Sequence, residues 1–265
     1  AVDTIMSTNV IHAHTLDDKE EIAKLFSRYD MLSLPVVDKE ERLVGIITID
    51  DAVDVMQEAN TEDFEMMAGI AHSDDTYLKM PVVSLAKNRI IWLLVLMFSA
   101  MITGAMLEHY EAAIATLPLL VSFIPMLMDT GGNCGSQAST MIIRGMALDE
   151  IEPSDFLRVW WKEIRVALLC GGTLSVVNFV RIYLQYNVLA AEPNPDCVRI
   201  AAVVSLTLIA TVCIAKSLGC ILPMLAKKLK LDPALMAAPM ITTVTDACSI
   251  LVFFSLALTI LRDRL

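Results

Sequence analysis

The stretch PMLMDTGGNCGSQ, Pro125–Gln137, lies inside an apolar run at 117–145 and carries a carboxylate, two amides and three glycines where lipid-compatible residues are expected. A helix that spans hydrocarbon takes about 20 mostly apolar residues. Glycines at 131, 132 and 135 weaken such a helix and bare its backbone, which membrane depth tolerates only where protein or water covers it. At helical spacing Asp129, Asn133, Ser136 and Thr140 fall on one side, a polar stripe through the middle of a span. Small residues also let helices approach closely, and amides can bond across them. Packing therefore accounts for the glycines, but it does not call for a carboxylate at mid-depth.

Working outward, the run at 235–261 repeats the anomaly. Thr242, Asp246 and Ser249 share a helical face there, with Thr243 and Thr245 beside them. A central Asp costs about 2.5–3.5 kcal/mol to insert, and such residues usually face a cavity, a partner or an ion path. Lys216, in the run at 198–224, is one conceivable partner. Its nearness to a basic loop favours snorkelling instead. Apolar runs at 88–108 and 163–186 complete five expected spans. Lys79, Lys87 and Arg89 precede the first. Arg144, Arg158, Lys162 and Arg165 lie between the second and third, and Lys227, Lys228 and Lys230 between the fourth and fifth. The intervening loops on the other side lack Lys and Arg. Positive residues stay inside, so the expected topology has residues 1–85 cytoplasmic and Leu265 outside, in a multi-pass cell (inner) membrane protein.

The whole chain of 265 residues is 56% hydrophobic and carries a net charge of −11, a balance that argues against nucleic acid as a partner and suits cations. The histidines, His12, His14, His72 and His109, all lie outside the expected spans. Carboxylates, amide oxygens and carbonyls are hard ligands that suit Mg²⁺ or Ca²⁺. An aspartyl enzyme would need two carboxylates a few ångströms apart, and Asp129 with Asp246 is the one intraspan pair. No accompanying catalytic motif supports that reading. An ion-coupled divalent-cation transporter is the closer alternative to a channel.

The first 57 residues read as a small α/β module. Val10–His14, Leu34–Asp38 and Leu43–Ile47 read as strands. Asp17 is expected to cap a helix that carries Ile22, Leu25, Phe26 and Tyr29, and a second helix starts near Ile49. The segment 50–75 then holds Asp50, Asp51, Asp54, Glu58, Glu62, Asp63, Glu65, Asp74 and Asp75 without one Lys or Arg. This is either a solvated acidic face or a sensor of divalent cations.

The segment LPVVDKEERLVGIITIDDAVDVM (34–56) resembles a cystathionine-β-synthase (CBS) motif. Together with PMLMDTGGNCGSQAST (125–140), LDPALMAAPMITTVTDACSILVFF (231–254) and NTED (60–63), it resembles the MgtE family of magnesium channels. The resemblance implies an α-helical membrane protein with five transmembrane helices and a small N-terminal CBS-type module. Its parts would be the second CBS motif at 1–57, with a first motif and an acidic domain upstream, an acidic connecting (plug) helix region at 58–87, and a pore domain at 88–265. It implies a homodimer with a Mg²⁺ near Asp246, beside Thr242 and Gly132 and the stripe residues Asn133 and Asp129. Gly131, Gly135, Ser136, Gln137, Thr243 and Ser249 would line the pore. Cytosolic Mg²⁺ on Asp51, Asp54, Glu62, Asp63 and Asp232 would clamp the soluble parts and close the path. Thr48 and Asp51 stand where CBS motifs can hold a nucleotide such as ATP.

Overall fold

The computed structural model describes residues 10–73, 76–192, 194–236 and 238–263, so Asp74, Asp75 and Leu265 lie outside the described residues. The chain divides into two compact units between Phe64 and Glu65.

In the first unit the strands β1 (Ala13–His14), β2 (Ser33–Val37) and β3 (Leu43–Thr48) form one sheet in that order. β1 runs parallel to β2, which demands a crossover, and α1 (Lys19–Tyr29) supplies it. β2 and β3 are antiparallel and joined by a tight turn in which the Asp38 carboxylate accepts from the backbone N–H groups of Glu40 and Arg42. Ala13, Ala23, Phe26, Leu34 and Ala52 form the core. The N-cap of α1 is Asp18, which accepts from the Glu20 N–H at 2.8 Å. Asp17, expected in that role, instead accepts from the His14 N–H at 2.7 Å. The first strand is also shorter than the expected Val10–His14. β3 is an edge whose Leu43, Val44 and Ile46 are each more than 60% exposed. A single βαββα unit therefore leaves apolar surface uncovered, as its small core requires.

The helix α2 (Ile49–Met67) begins where the sequence places it but runs through the NTED segment without a break. No separate connecting helix follows among the described residues of 68–81, which form turns and coil up to Pro81 at the cap of α3 (Val82–His109). The fold thus assigns the helical part of the expected 58–87 region to α2 and α3.

The second unit continues through α4 (Glu111–Thr116), a 3₁₀ turn at Pro118–Phe123, α5 (Ile124–Ala147), α6 (Phe156–Tyr183), α7 (Cys197–Lys228) and α8 (Ala238–Ile260). α5 is the central helix, packed on α7 and α8, and α7 also packs on α6. Leu120, Phe123, Leu127, Val204, Phe253 and Phe254 lie in its main core, with Tyr110 stacked on Phe254 at 4.5 Å between ring centroids. Among the described residues four helices are long and apolar enough to cross a membrane: Val82–His109, Pro153–Val188, Cys197–Lys228 and Pro239–Ile260. α5, the fifth expected span, does not meet that standard of composition. With 24 residues it extends about 36 Å, enough for a hydrocarbon core of about 30 Å. Its neighbours cover one whole side, so it does not need an apolar surface all round.

That cover depends on missing side chains. A Cβ on Gly219 of α7 would run into the carbonyl oxygen of Gly135 on α5, whereas nothing lies within 4 Å of one on Gly172. Gly219→Val is therefore expected to lower folding stability by about 1–3 kcal/mol through overpacking. Gly172→Ala, with open space for its methyl in the interior of α6, should hold or raise the thermal midpoint of the detergent-solubilised protein. Equal midpoints for the two variants would show that the seam tolerates a side chain.

Candidate functional site

The two faces of α5 have opposite chemistry. Gly131, Gly132, Cys134, Gly135, Ala138 and Ser139 are buried, while Asp129, Asn133, Gln137 and Thr140 are exposed and Ser136 is half-buried. The stripe read from the sequence is therefore one open polar surface along the central helix. On the closed side a Cβ at Gly132 would stand 2.8 Å from the Thr242 methyl of α8. One at Gly131 would stand 2.7 Å from the methyls of both Thr211 and Thr245. Gly131, Gly135 and Ser249, expected to line a pore, lie instead inside the contacts between α5, α7 and α8. What they provide is close approach, which seats α8 against α5.

Asp246 sits on α8, half-buried. Asp129 of α5 is the charged group within electrostatic reach of it. Neither carboxylate has a hydrogen bond or ion pair among the described residues. Four hydroxyls of these two helices have already committed their protons. Thr242 and Thr243 both donate to the Pro239 carbonyl, at 2.9 and 3.0 Å, Ser136 to that of Gly132 at 2.8 Å and Ser249 to that of Thr245 at 2.7 Å. Such bonds back into the helix leave oxygen lone pairs as the free polarity. The result is an acceptor-rich surface with two carboxylates, a donor set for a hard cation.

Lys216 neither reaches Asp246 nor snorkels. It is 5% exposed and pairs with Glu163 of α6 at 3.3 Å. No local pattern announces this pair, because 53 residues separate its members. Also unforeseen are the buried hydroxyls of Thr211 and Thr245, which have no hydrogen-bond partner among the described residues while the methyls of the same side chains face Gly131.

The remaining candidates fall in two places. In the first unit the Thr48 hydroxyl donates to the Asp51 carboxylate at 3.1 Å across the start of α2. Asp51 and Asp54 are exposed and Glu62 and Asp63 are half-buried along α2. The fold brings a cation that the local sequence lacks: Lys19 of α1 donates to Glu58 at 2.7 Å, and that bond holds its ammonium above the usual lysine range. In the second unit the Asp232 carboxylate accepts from the Ala234 N–H at 2.7 Å and so caps the 3₁₀ turn Pro233–Met236 ahead of α8. His72 meets Glu65 at 2.7 Å.

The sequence profile of MgtE, described as a divalent cation transporter, matches residues 124–256, and that of the CBS domain matches residues 2–58. The magnesium transporter MgtE of Thermus thermophilus is 36% identical over 253 residues, 96% of this chain and 54% of the relative. That of Bacillus subtilis is 35% identical over 257 residues, 97% and 54%. That of Enterococcus faecalis is 30% identical over 260 residues, again 97% and 54%. The chain spans about half the length of these relatives.

The Lys216–Glu163 pair yields a test of its own. Removing one partner of a buried pair leaves an uncompensated charge, which costs about 3–5 kcal/mol. Lys216→Met alone should lower the thermal midpoint markedly, and Lys216→Met with Glu163→Gln should recover most of the loss. A single variant as stable as the parent would mean that Glu163 finds water.

Proposed function

The chain belongs to the MgtE family of divalent cation transporters, and on that premise we propose that it carries Mg²⁺ across the cell membrane along the polar face of α5 and the adjoining face of α8. One observation carries this reading: Asp246 and Asp129 stand within electrostatic reach of each other with no cationic partner among the described residues, Lys216 of α7 being committed to Glu163. Like charges so placed in a membrane cost free energy, and a dication between them relieves it. The ligand oxygens are the carboxylates of Asp246 and Asp129, the Asn133 amide and the hydroxyl of Thr242, with Gly132 allowing α8 to come close. Gln137, Ser136 and Thr243 extend the polar surface. Mg²⁺ surrenders water reluctantly, so a few weak oxygen contacts to a hydrated ion let it enter and leave.

In this reading α5 crosses the membrane as a fifth span, the N-terminal module is cytoplasmic and the C-terminus lies outside. A polar stripe cannot face lipid, and a homodimer that turns α5 and α8 toward its axis would keep it wet. Cytosolic Mg²⁺ bound by the carboxylates Asp51, Asp54, Glu62 and Asp63, and by Asp232, closes the path. Thr48 and Asp51 are the groups that would hold ATP. A family of transporters gives no support to an intramembrane enzyme.

Mg²⁺ flux into liposomes, measured on the full-length protein, tests the pore. Asp246→Ala should abolish most of the flux while the protein still folds and assembles, and normal flux would sink the assignment. Current carried by Mg²⁺ alone supports a channel, whereas flux that requires a Na⁺ or H⁺ gradient supports a coupled transporter.

Gating is tested separately. Neutralising Asp54, Glu62 and Asp63 together should preserve flux at low internal Mg²⁺ and blunt its inhibition at high internal Mg²⁺. Closure at the parent's Mg²⁺ concentration would make these carboxylates a solvated surface.

A further inference from the structure

His12 and His14 flank the fully buried Ala13 at the first strand, and their rings meet edge to face at 5.3 Å between centroids. Glu41, from the turn between β2 and β3, completes a group with them, and one ligand atom of each lies within 4.8 Å of the others. Glu41 holds φ at +58°, a left-handed conformation uncommon for a residue with a side chain.

The protonation pattern at His12 is decided by its partners. Its Nδ1 lies 3.0 Å from the Val10 carbonyl oxygen, which can only accept, so Nδ1 carries the hydrogen. Neutral His12 therefore presents a bare Nε2 lone pair, and this faces Glu41 Oε2 at 3.4 Å. Two acceptors so placed repel unless a proton or a metal ion lies between them. A tetrahedral ion bound at about 2.0–2.2 Å sets its ligand atoms about 3.4 Å apart. A second bond from the far ring nitrogen to a carbonyl is also the usual support of a metal-bound histidine. His14 is held in place through its backbone N–H, which donates to Asp17. The site is open to solvent, with His12 and Glu41 side chains 35% and 65% exposed, so an ion can enter and a water can complete its shell.

We propose that His12, His14 and Glu41 form a binding site for a borderline transition-metal dication of the Zn²⁺ or Co²⁺ class, separate from the oxygen-only surface of α5 and α8. Two imidazoles select such ions and exclude Mg²⁺, which prefers oxygen. The bound ion would tie the first strand to the β2–β3 turn.

Co²⁺ titration of the purified full chain in detergent, first stripped with chelator, tests this. One equivalent of Co²⁺ should develop visible bands of a four- or five-coordinate ion without thiolate charge transfer. Zn²⁺ should displace it, and a large excess of Mg²⁺ should not. His12→Gln should abolish the spectrum. Glu41→Gln, a change in an exposed turn that leaves the fold intact, should weaken binding by about 10–100-fold, at least the loss seen when an outer-shell partner is removed. His72→Gln with His109→Gln should leave the spectrum as in the parent. A spectrum that survives His12→Gln, vanishes with His72 and His109, carries sulfur charge transfer or yields to Mg²⁺ overturns the proposal.

Discussion

The close approach of α5 to α7 and α8 governs the membrane unit. Backbone meets backbone at Gly135 and Gly219, and the Thr242 and Thr245 methyls fill the space left by Gly132 and Gly131. In lipid, where helix association lacks a hydrophobic drive, such contact and its dispersion energy hold helices together. The same seam fixes which side of α5 is closed, and the remaining side must then carry Asp129, Asn133, Gln137 and Thr140. The polar surface follows from the packing of the opposite face.

Electrostatics adds a second constraint. A lysine within a membrane helix would cancel a neighbouring carboxylate if it could reach one, and here it reaches Glu163. The buried cation of α7 is thereby spent on α6, and apart from Arg144 in the last turn of α5 the charge on α5 and α8 is negative. Hydroxyls that donate to their own helices sharpen this, since they offer oxygen and no proton to whatever occupies the surface.

Local patterns were legible in the sequence, and distant pairings were not. The sites of the apolar helices, the strands β2 and β3, the start of α2 and the polar stripe of α5 all rest on periodicity within a few turns. The cap of α1 moved by one residue because Asp17 and Asp18 are both competent and only the fold decides that Asp17 serves His14. Lys216 with Glu163 and Lys19 with Glu58 escaped because long stretches of chain separate their members. The glycines of α5 illustrate the middle case. Their spacing announces a special helix, but whether a glycine lines a path or seats a neighbour depends on the side from which that neighbour comes.

The helix α3 raises a matter of assembly. None of its apolar window is buried within the chain, and its chief packing partner is α8. Residues 110–237 must therefore be synthesised before α3 acquires the neighbour that holds it. Until then it is a solitary greasy rod in the bilayer, free to diffuse and rotate about its axis. Long-range contacts of this kind are made late and slowly. Completion of the membrane unit is thus a docking event between its earliest and latest long helices, with the helices between them already in place.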